Sequence, residues 1–324
     1  ERLRPWLETS SDPSLDTSLE PPSEKWRSAD ASQIALIRAD LDAAAVRAVE
    51  LLDGHGNAEG LPLRLPKARV VALGSCERHA VAVARESAVD DSGRDDLPLR
   101  VLTGRALDVF VELEIAEGPV ADPLEDLLSW LGARGELAVR DQVIAAEPEL
   151  QLAPLASAAR AWSGLDPSWW PRTQASASVH LAGGAVRCDG RTDVELGGWC
   201  SGRRSVVVEV KLGRPHQAHL DEVTHYALLV ALRDQVMPAA VARWYPGGAL
   251  AEMAVTVDVL RAAALRLAAA IDAWAELHVG RPPLERPGAA CSWCPDAGTC
   301  PSFQPARDPY DPFGDRDRDR DRDR

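Results

Sequence analysis

The sequence contains no apolar run long enough to cross a bilayer; its best candidate, residues 262–274, is broken by Arg266 and Asp272. Its first residues lack the basic patch and apolar core of a secretory leader, so the expectation is a cytoplasmic protein with no membrane partner. There is no excess of positive charge either. With 36 basic against 50 acidic residues, the net charge of −14 argues against a general nucleic-acid coat protein, which would be basic. It leaves open an enzyme that needs only a local positive track and bound metal ions. No internal repeat of solenoid length is present. What remains is an ordinary globular composition, 324 residues at 46% hydrophobic and 27% charged, enough for one large domain with extensions or two small ones.

Residues 1–27 are rich in Ser, Pro and charge and are expected to lack fixed structure. Ile34, Ile37, Leu41, Ala45, Val49 and Leu52 recur at spacings of three and four, which predicts a helix over 31–52 with one buried face. With the Gly/Asn loop at 53–60 it makes an N-terminal helical extension over 28–65. A short apolar run at 70–73 ends in Gly74-Ser75-Cys76, and residues 122–162 read as mostly helical, with breaks near Gly132 and Pro148. The character then changes. Strands are expected at 175–181 and 185–196, joined by Gly183-Gly184, and at 204–211, where the β-branched run marks a central strand covered on both faces. A helix over 217–232, strands at 239–244 and 253–257, and a long helix over 259–278 follow. The alternating Asp and Arg from 315 onward can bury nothing, so 304–324 is expected as a disordered tail. The fold class is α/β, a mixed central sheet flanked by helices, with the main domain over 66–303.

The strongest chemical signal is Gly190-Arg191-Thr192-Asp193, a hairpin, and then Glu209-Val210-Lys211. Side chains alternate along a strand, so Glu209 and Lys211 share a face, and a hairpin partner can set Asp193 beside them. Two carboxylates at one sheet edge suit a hard divalent cation such as Mg²⁺ or Mn²⁺, and the carbonyl of Val210 could add a ligand. Such a centre activates water and offsets charge building on phosphorus. Lys211 would orient that water or help deprotonate it. The bland reading makes Glu209 and Lys211 ordinary polar residues at a strand end. Against it, the triplet closes the most strand-like run in the chain, where charge is costly unless it opens onto a site.

These motifs resemble the RecB-like branch of the PD-(D/E)XK nuclease superfamily, which shows a Gly-x-x-Asp strand, a Glu-x-Lys strand and a helix bearing Gln and Tyr one turn apart. The resemblance spans residues 70–303. It implies a restriction-endonuclease-like core with a helical insert over about 109–170, and it assigns Asp193, Glu209, Lys211 and Tyr226 to the catalytic centre. Glu222 stands where the family has Gln; it can accept a hydrogen bond but cannot donate one to a phosphate. Gly104 followed four residues later by Asp108 matches a family element that ends in a metal-binding His, so Asp108 becomes a candidate ligand. His180 is a lesser candidate, and Trp162, Trp169 and Trp170 could stack on bases or simply pack.

Six cysteines in such a chain point to ligands or buried thiols rather than disulfides. Cys291, Cys294 and Cys300 crowd one Pro- and Gly-containing loop, but three soft ligands need a fourth. An iron–sulfur subgroup of the RecB-like nucleases, which includes AddB-type helicase–nucleases and CRISPR-associated adaptation nucleases, has one cysteine before its core and three after it, spaced Cys-x2-Cys-x5-Cys. The resemblance therefore implies a [4Fe-4S] cluster on Cys76, Cys291, Cys294 and Cys300, clamping the ends of the domain. Zinc on the same thiols is the alternative. Cys188 and Cys200 read as small buried hydrophobes. The function implied is a metal-dependent DNA nuclease, exonuclease-like on single-stranded or frayed ends, in repair, recombination or defence, with a helicase or integrase as a further partner. Two other readings stay open: a catalytically inactive DNA- or protein-binding subunit, and a zinc-clamped adaptor.

Overall fold

The computed structural model describes residue 3 and residues 24–57, 61–90, 97–198 and 204–303. The terminal stretches 1–23 and 304–324, expected to be unstructured, and Cys200 lie outside the described residues, apart from residue 3. The elements run in the order α1 (Glu24–Gly54), β1 (Leu63–Pro66), α2 (Lys67–Ser75), α3 (Glu77–Asp90), α4 (Leu99–Ala116), α5 (Pro123–Ala133), α6 (Leu137–Leu150), α7 (Leu152–Ala159), β2 (Arg172–Leu181), β3 (Val186–Leu196), β4 (Val206–Val210), α8 (Gln217–Asp234), β5 (Ala240–Tyr245), β6 (Ala249–Ala254) and α9 (Val257–His278). The fold is α/β, with a mixed six-stranded sheet flanked by helices. No helix among the described residues is long and apolar enough to cross a membrane.

Alternation on β4 builds both layers. Val206, Val208 and Val210 face a core formed with α4–α7, whose centre is Phe110, Leu127 and Leu131. Val207 faces the other way, onto α1, α2, α8 and α9. Each of these fully buried apolar side chains contributes roughly 1.5–3 kcal/mol. The predicted stripe Ile34, Ile37, Leu41 and Ala45 lies in this second core, and so do Leu63 and Leu65. Residues 28–65, read as an extension, therefore supply a helix and a strand to the centre of the protein. α1 also begins at Glu24, inside the stretch expected to lack structure. The last strand is Ala249–Ala254 rather than 253–257, because Gly247 and Gly248, both at positive φ, turn the chain back at once after β5. Thr256 is then free to cap α9, its hydroxyl accepting from the Val259 N–H.

The topology of β3 determines where a site can form. β2 runs antiparallel along the whole of β3 on one edge. On the other edge β1 pairs parallel with 186–189, and β4 pairs antiparallel with 194–196. Two strands thus run head-on toward each other along one edge of β3. Their C-terminal ends leave residues 190–193 of β3 uncovered by either ladder on that side.

Candidate functional site

The gap at 190–193 is where the chemistry-bearing side chains gather. Continuing the β3–β4 register by one step from Val194↔Val208 sets Asp193 opposite Glu209, on the face away from Val194 and Val208. Asp193 Oδ2 accepts the Val210 N–H at 2.7 Å, which ties the two strands together at the site. Lys211 follows β4, and its Nζ reaches Glu209 Oε1 at 2.8 Å and Glu222 Oε2 at 2.6 Å. Glu222 and Tyr226 come from one face of α8. Gly190 makes room for that tyrosine: a Cβ there would stand 2.6 Å from Tyr226 Cε1. On β2, opposite Asp193, Gln174 adopts φ 51, which interrupts the ladder beside the site.

Asp108 arrives from α4, on the other side of the sheet. Burial, then Glu209, pushes its carboxyl up to about 7, with Arg105 and Lys211 opposing. Asp193 is raised well above the carboxylate range by burial, by Glu209 and by Asp108, against the pull of the Val210 N–H and Lys211. Glu209 is 2% exposed, and its Oε2 has no hydrogen-bond partner. Among the described residues no three His, Cys, Asp or Glu side chains already stand as a metal-holding group. The donors nevertheless fit a divalent cation chemically: an orphaned buried carboxylate oxygen lies near two carboxyls that burial and mutual repulsion keep from ionising readily. They are hard oxygen donors, the set that Mg²⁺ and Mn²⁺ prefer.

Lys67 is a member of this group that sequence reasoning missed. It is the first residue of α2, directly after β1, and its Nζ lies 2.8 Å from Glu222 Oε2, 3.3 Å from Glu209 Oε1 and 5.2 Å from the centre of the Tyr226 ring. Burial acts to raise the Glu222 pKa, but Lys67 and Lys211 overcome it and hold the carboxylate down at about 2. Burial likewise works against the Lys211 charge, and Glu209 and Glu222 more than restore it. The net effect favours the charged form of Lys211, which suits orienting a substrate or water.

Other features surround this centre. A groove of about 500 Å³ lined by Val101, Gly104, Arg105, Asp108, Glu136 and Arg191 opens onto Asp108. On α8 the His219 ring nitrogen lies 3.1 Å from the Tyr245 hydroxyl, and burial and Lys211 lower its pKa to about 4, so the imidazole is neutral. His180 is not part of the site. It is exposed and pairs with Arg187 near the far end of the β2–β3 hairpin, about six residues of strand from Asp193. Trp162 is 4% exposed and packs edge-on against Trp244, and Trp169 is buried; only Trp170 of the three is open to solvent.

The second cluster lies at the other end of α2. Cys76 follows that helix, and Cys76, Cys291, Cys294 and Cys300 line one small cavity with Arg78, His79 and Phe303. None of the four forms a disulfide. The arm from Arg281 onward is tied to α3 by polar contacts: Arg281 to Glu77 at 2.8 Å, Arg78 to Glu285 at 2.7 Å, and Arg85 to Asp296. Four reduced thiols around one cavity are a donor set suited to a soft or borderline metal centre. The cavity measures about 20 Å³, about the space of a single ion or water. Cys188 is fully buried in the core, and burial pushes its thiol up to about 12.

No family model matches the chain, and no curated protein is similar to it. Among solved structures it is similar to one described as the crystal structure of SSO0001, with 15% identity and a TM-score of 0.32, over 63% of this chain and 98% of that one.

Proposed function

We propose that the chain is a divalent-metal-dependent deoxyribonuclease with a restriction-endonuclease-like core, acting in the cytoplasm on single-stranded or frayed DNA ends in repair, recombination or defence, beside a helicase or integrase. One observation carries this reading: Asp193 and Glu209 on paired strands, with Lys211 two residues on and Asp108 close enough to repel both, gather at the gap in the β3 edge. Asp108, Asp193 and Glu209 would hold Mg²⁺ or Mn²⁺. A cation bound there supplies positive charge that lowers the pKa of water and offsets charge on phosphoryl oxygens. Lys211, fixed by Glu209 and Glu222, would present its ammonium to the phosphodiester. Glu222 is a permanent anion and can only accept hydrogen bonds. Water attacks phosphorus, one P–O bond breaks, and the products are a phosphomonoester and an alcohol. Cys76, Cys291, Cys294 and Cys300 would hold a [4Fe-4S] cluster that keeps the C-terminal arm against α3.

The test is cleavage of labelled single-stranded and frayed duplex DNA by anaerobically purified protein with Mn²⁺ or Mg²⁺. Asp193→Asn, Glu209→Gln and Lys211→Met should each lose at least about 100-fold in rate. Full activity in these variants overturns the assignment. Two observations favour other readings. The absence of a ready-made metal-holding group among the described residues favours a non-catalytic binding subunit, which would take up no Mn²⁺. The small cavity favours zinc on the thiols, and iron, sulfide and zinc analysis with the visible spectrum separates the two.

A further inference from the structure

Only three of the 36 basic residues of this chain are lysines, at positions 25, 67 and 211; the rest are arginines. Two of the three meet in one place, though they lie far apart in sequence. Lys67 follows β1 and Lys211 follows β4, the two strands that converge on the gap in β3. Their ammonium groups share the same two oxygens. Glu209 Oε1 lies 3.3 Å from Lys67 and 2.8 Å from Lys211, and Glu222 Oε2 lies 2.8 Å and 2.6 Å from them. The result is a closed box of alternating charge.

Elsewhere among the described residues the acidic groups pair with arginine, as at Arg47–Asp272, Arg78–Glu285 and Arg204–Asp30. An arginine fork is planar and spreads its charge over three nitrogens in fixed directions, so Arg78 reaches Glu285 and Asp296 through different nitrogens, whereas an ammonium is a compact point charge that can sit between several oxygens, as a metal ion does. The box also divides Glu209 between its two oxygens. Oε1 is occupied by both ammoniums, while Oε2 is buried and unpartnered. The charges reinforce this division. Asp108, Asp193, Glu209 and Glu222, when all ionised, face two ammoniums, which leaves the charge of one divalent cation to be supplied. Without Lys67 the deficit exceeds what one such ion can balance.

We infer that Lys67 is a positioning residue that stands as a built-in cation between Glu209 and Glu222 and limits the centre to a single divalent ion, received on the Oε2 side of Glu209. The inference rests on the metal-dependent reading of this site. It also gives the Glu222 departure a partner: the extra carboxylate on α8 comes with its own counter-ion on α2.

Mn²⁺ titration of the full-length protein, followed by calorimetry and by electron paramagnetic resonance of the bound ion, tests it. The wild type should take one Mn²⁺ with an isolated six-line spectrum. Lys67→Met should take two, with the six-line signal attenuated by coupling between neighbouring ions. Lys67→Met combined with Glu222→Gln removes one charge of each sign and should return the count to one, and Lys67→Gln, which keeps a polar head in the same space and should take two, serves as the test if Lys67→Met does not fold. A wild type that binds no Mn²⁺ overturns the nuclease reading and this inference together. A wild type that binds two, or a Lys67→Met variant that still binds one with unchanged affinity, overturns this inference alone.

Discussion

Replacing Asp108 by Asn should stabilise the metal-free protein while weakening its hold on a divalent ion, two effects of opposite sign from one charge. Burial and Glu209 push the Asp108 carboxyl from 3.8 up to about 7. The folded protein then holds this proton more tightly than the unfolded chain does. Stability is therefore lost as pH rises from about 4 to about 7, and the whole penalty is in force above that. Three units at about 1.4 kcal/mol each set a ceiling of about 4 kcal/mol, and solvent at the groove mouth screens this to about 1–2 kcal/mol. Asparagine carries no charge at any pH. Its advantage over wild type in EDTA should be near zero at pH 4, grow through pH 5 and 6, and level off above pH 7.5, at roughly 2–4 °C per kcal/mol in the unfolding midpoint. With excess Mn²⁺ at pH 8 the order should reverse, because binding to the folded state stabilises the better binder. Thermal unfolding across this pH range, with and without Mn²⁺, measures both. An Asn variant less stable than wild type in EDTA at pH 8, or one whose advantage does not vary with pH, would refute the crowding argument.

Three further outcomes follow from the packing around the site and the arm. Gly190→Ala drives a methyl into the Tyr226 ring, where the nearest carbon is 2.6 Å away, and should cost about 1–3 kcal/mol in urea unfolding; Tyr226→Leu in the same chain should recover part of the loss. Glu195, fully buried between Arg172 and Arg233 and accepting from the Thr192 hydroxyl at 3.0 Å, should cost about 3 kcal/mol as Ala, because two guanidiniums lose their shared partner. Glu77 Oε2 accepts from Arg281 and from the Leu284 N–H, both at 2.8 Å, so Glu77→Ala should speed amide exchange over 281–303 while the β3–β4 ladder stays protected.

The parts of the site visible in the sequence are those in which local pattern and chemistry coincide. Val206, Val207 and Val208 announce a strand covered on both faces, and the strict alternation of β structure then fixes where Glu209 and Lys211 point. Gly190 is needed because a ring carbon from α8 occupies the space its Cβ would take, so the Gly-x-x-Asp spacing and Tyr226 are two ends of one steric requirement. Cys291, Cys294 and Cys300 could be grouped from their spacing, Cys76 was joined to them only through the family resemblance, and all four line one cavity. Lys67 could not be found this way. β1 is four residues long, and its parallel register with β3 joins segments more than a hundred residues apart, a pairing that no turn or periodicity encodes. Its own neighbourhood, Arg64-Leu65-Pro66-Lys67-Ala68-Arg69, reads as a charged surface stretch. His180 was misplaced for the same reason, since only the register of β2 against β3 shows that it lies at the wrong end of the hairpin. Composition alone does carry one trace of Lys67. In a chain that uses arginine almost everywhere a lysine is rare, and Lys67 and Lys211, two of the three, face the same pair of carboxylates, where a point charge can sit between several oxygens.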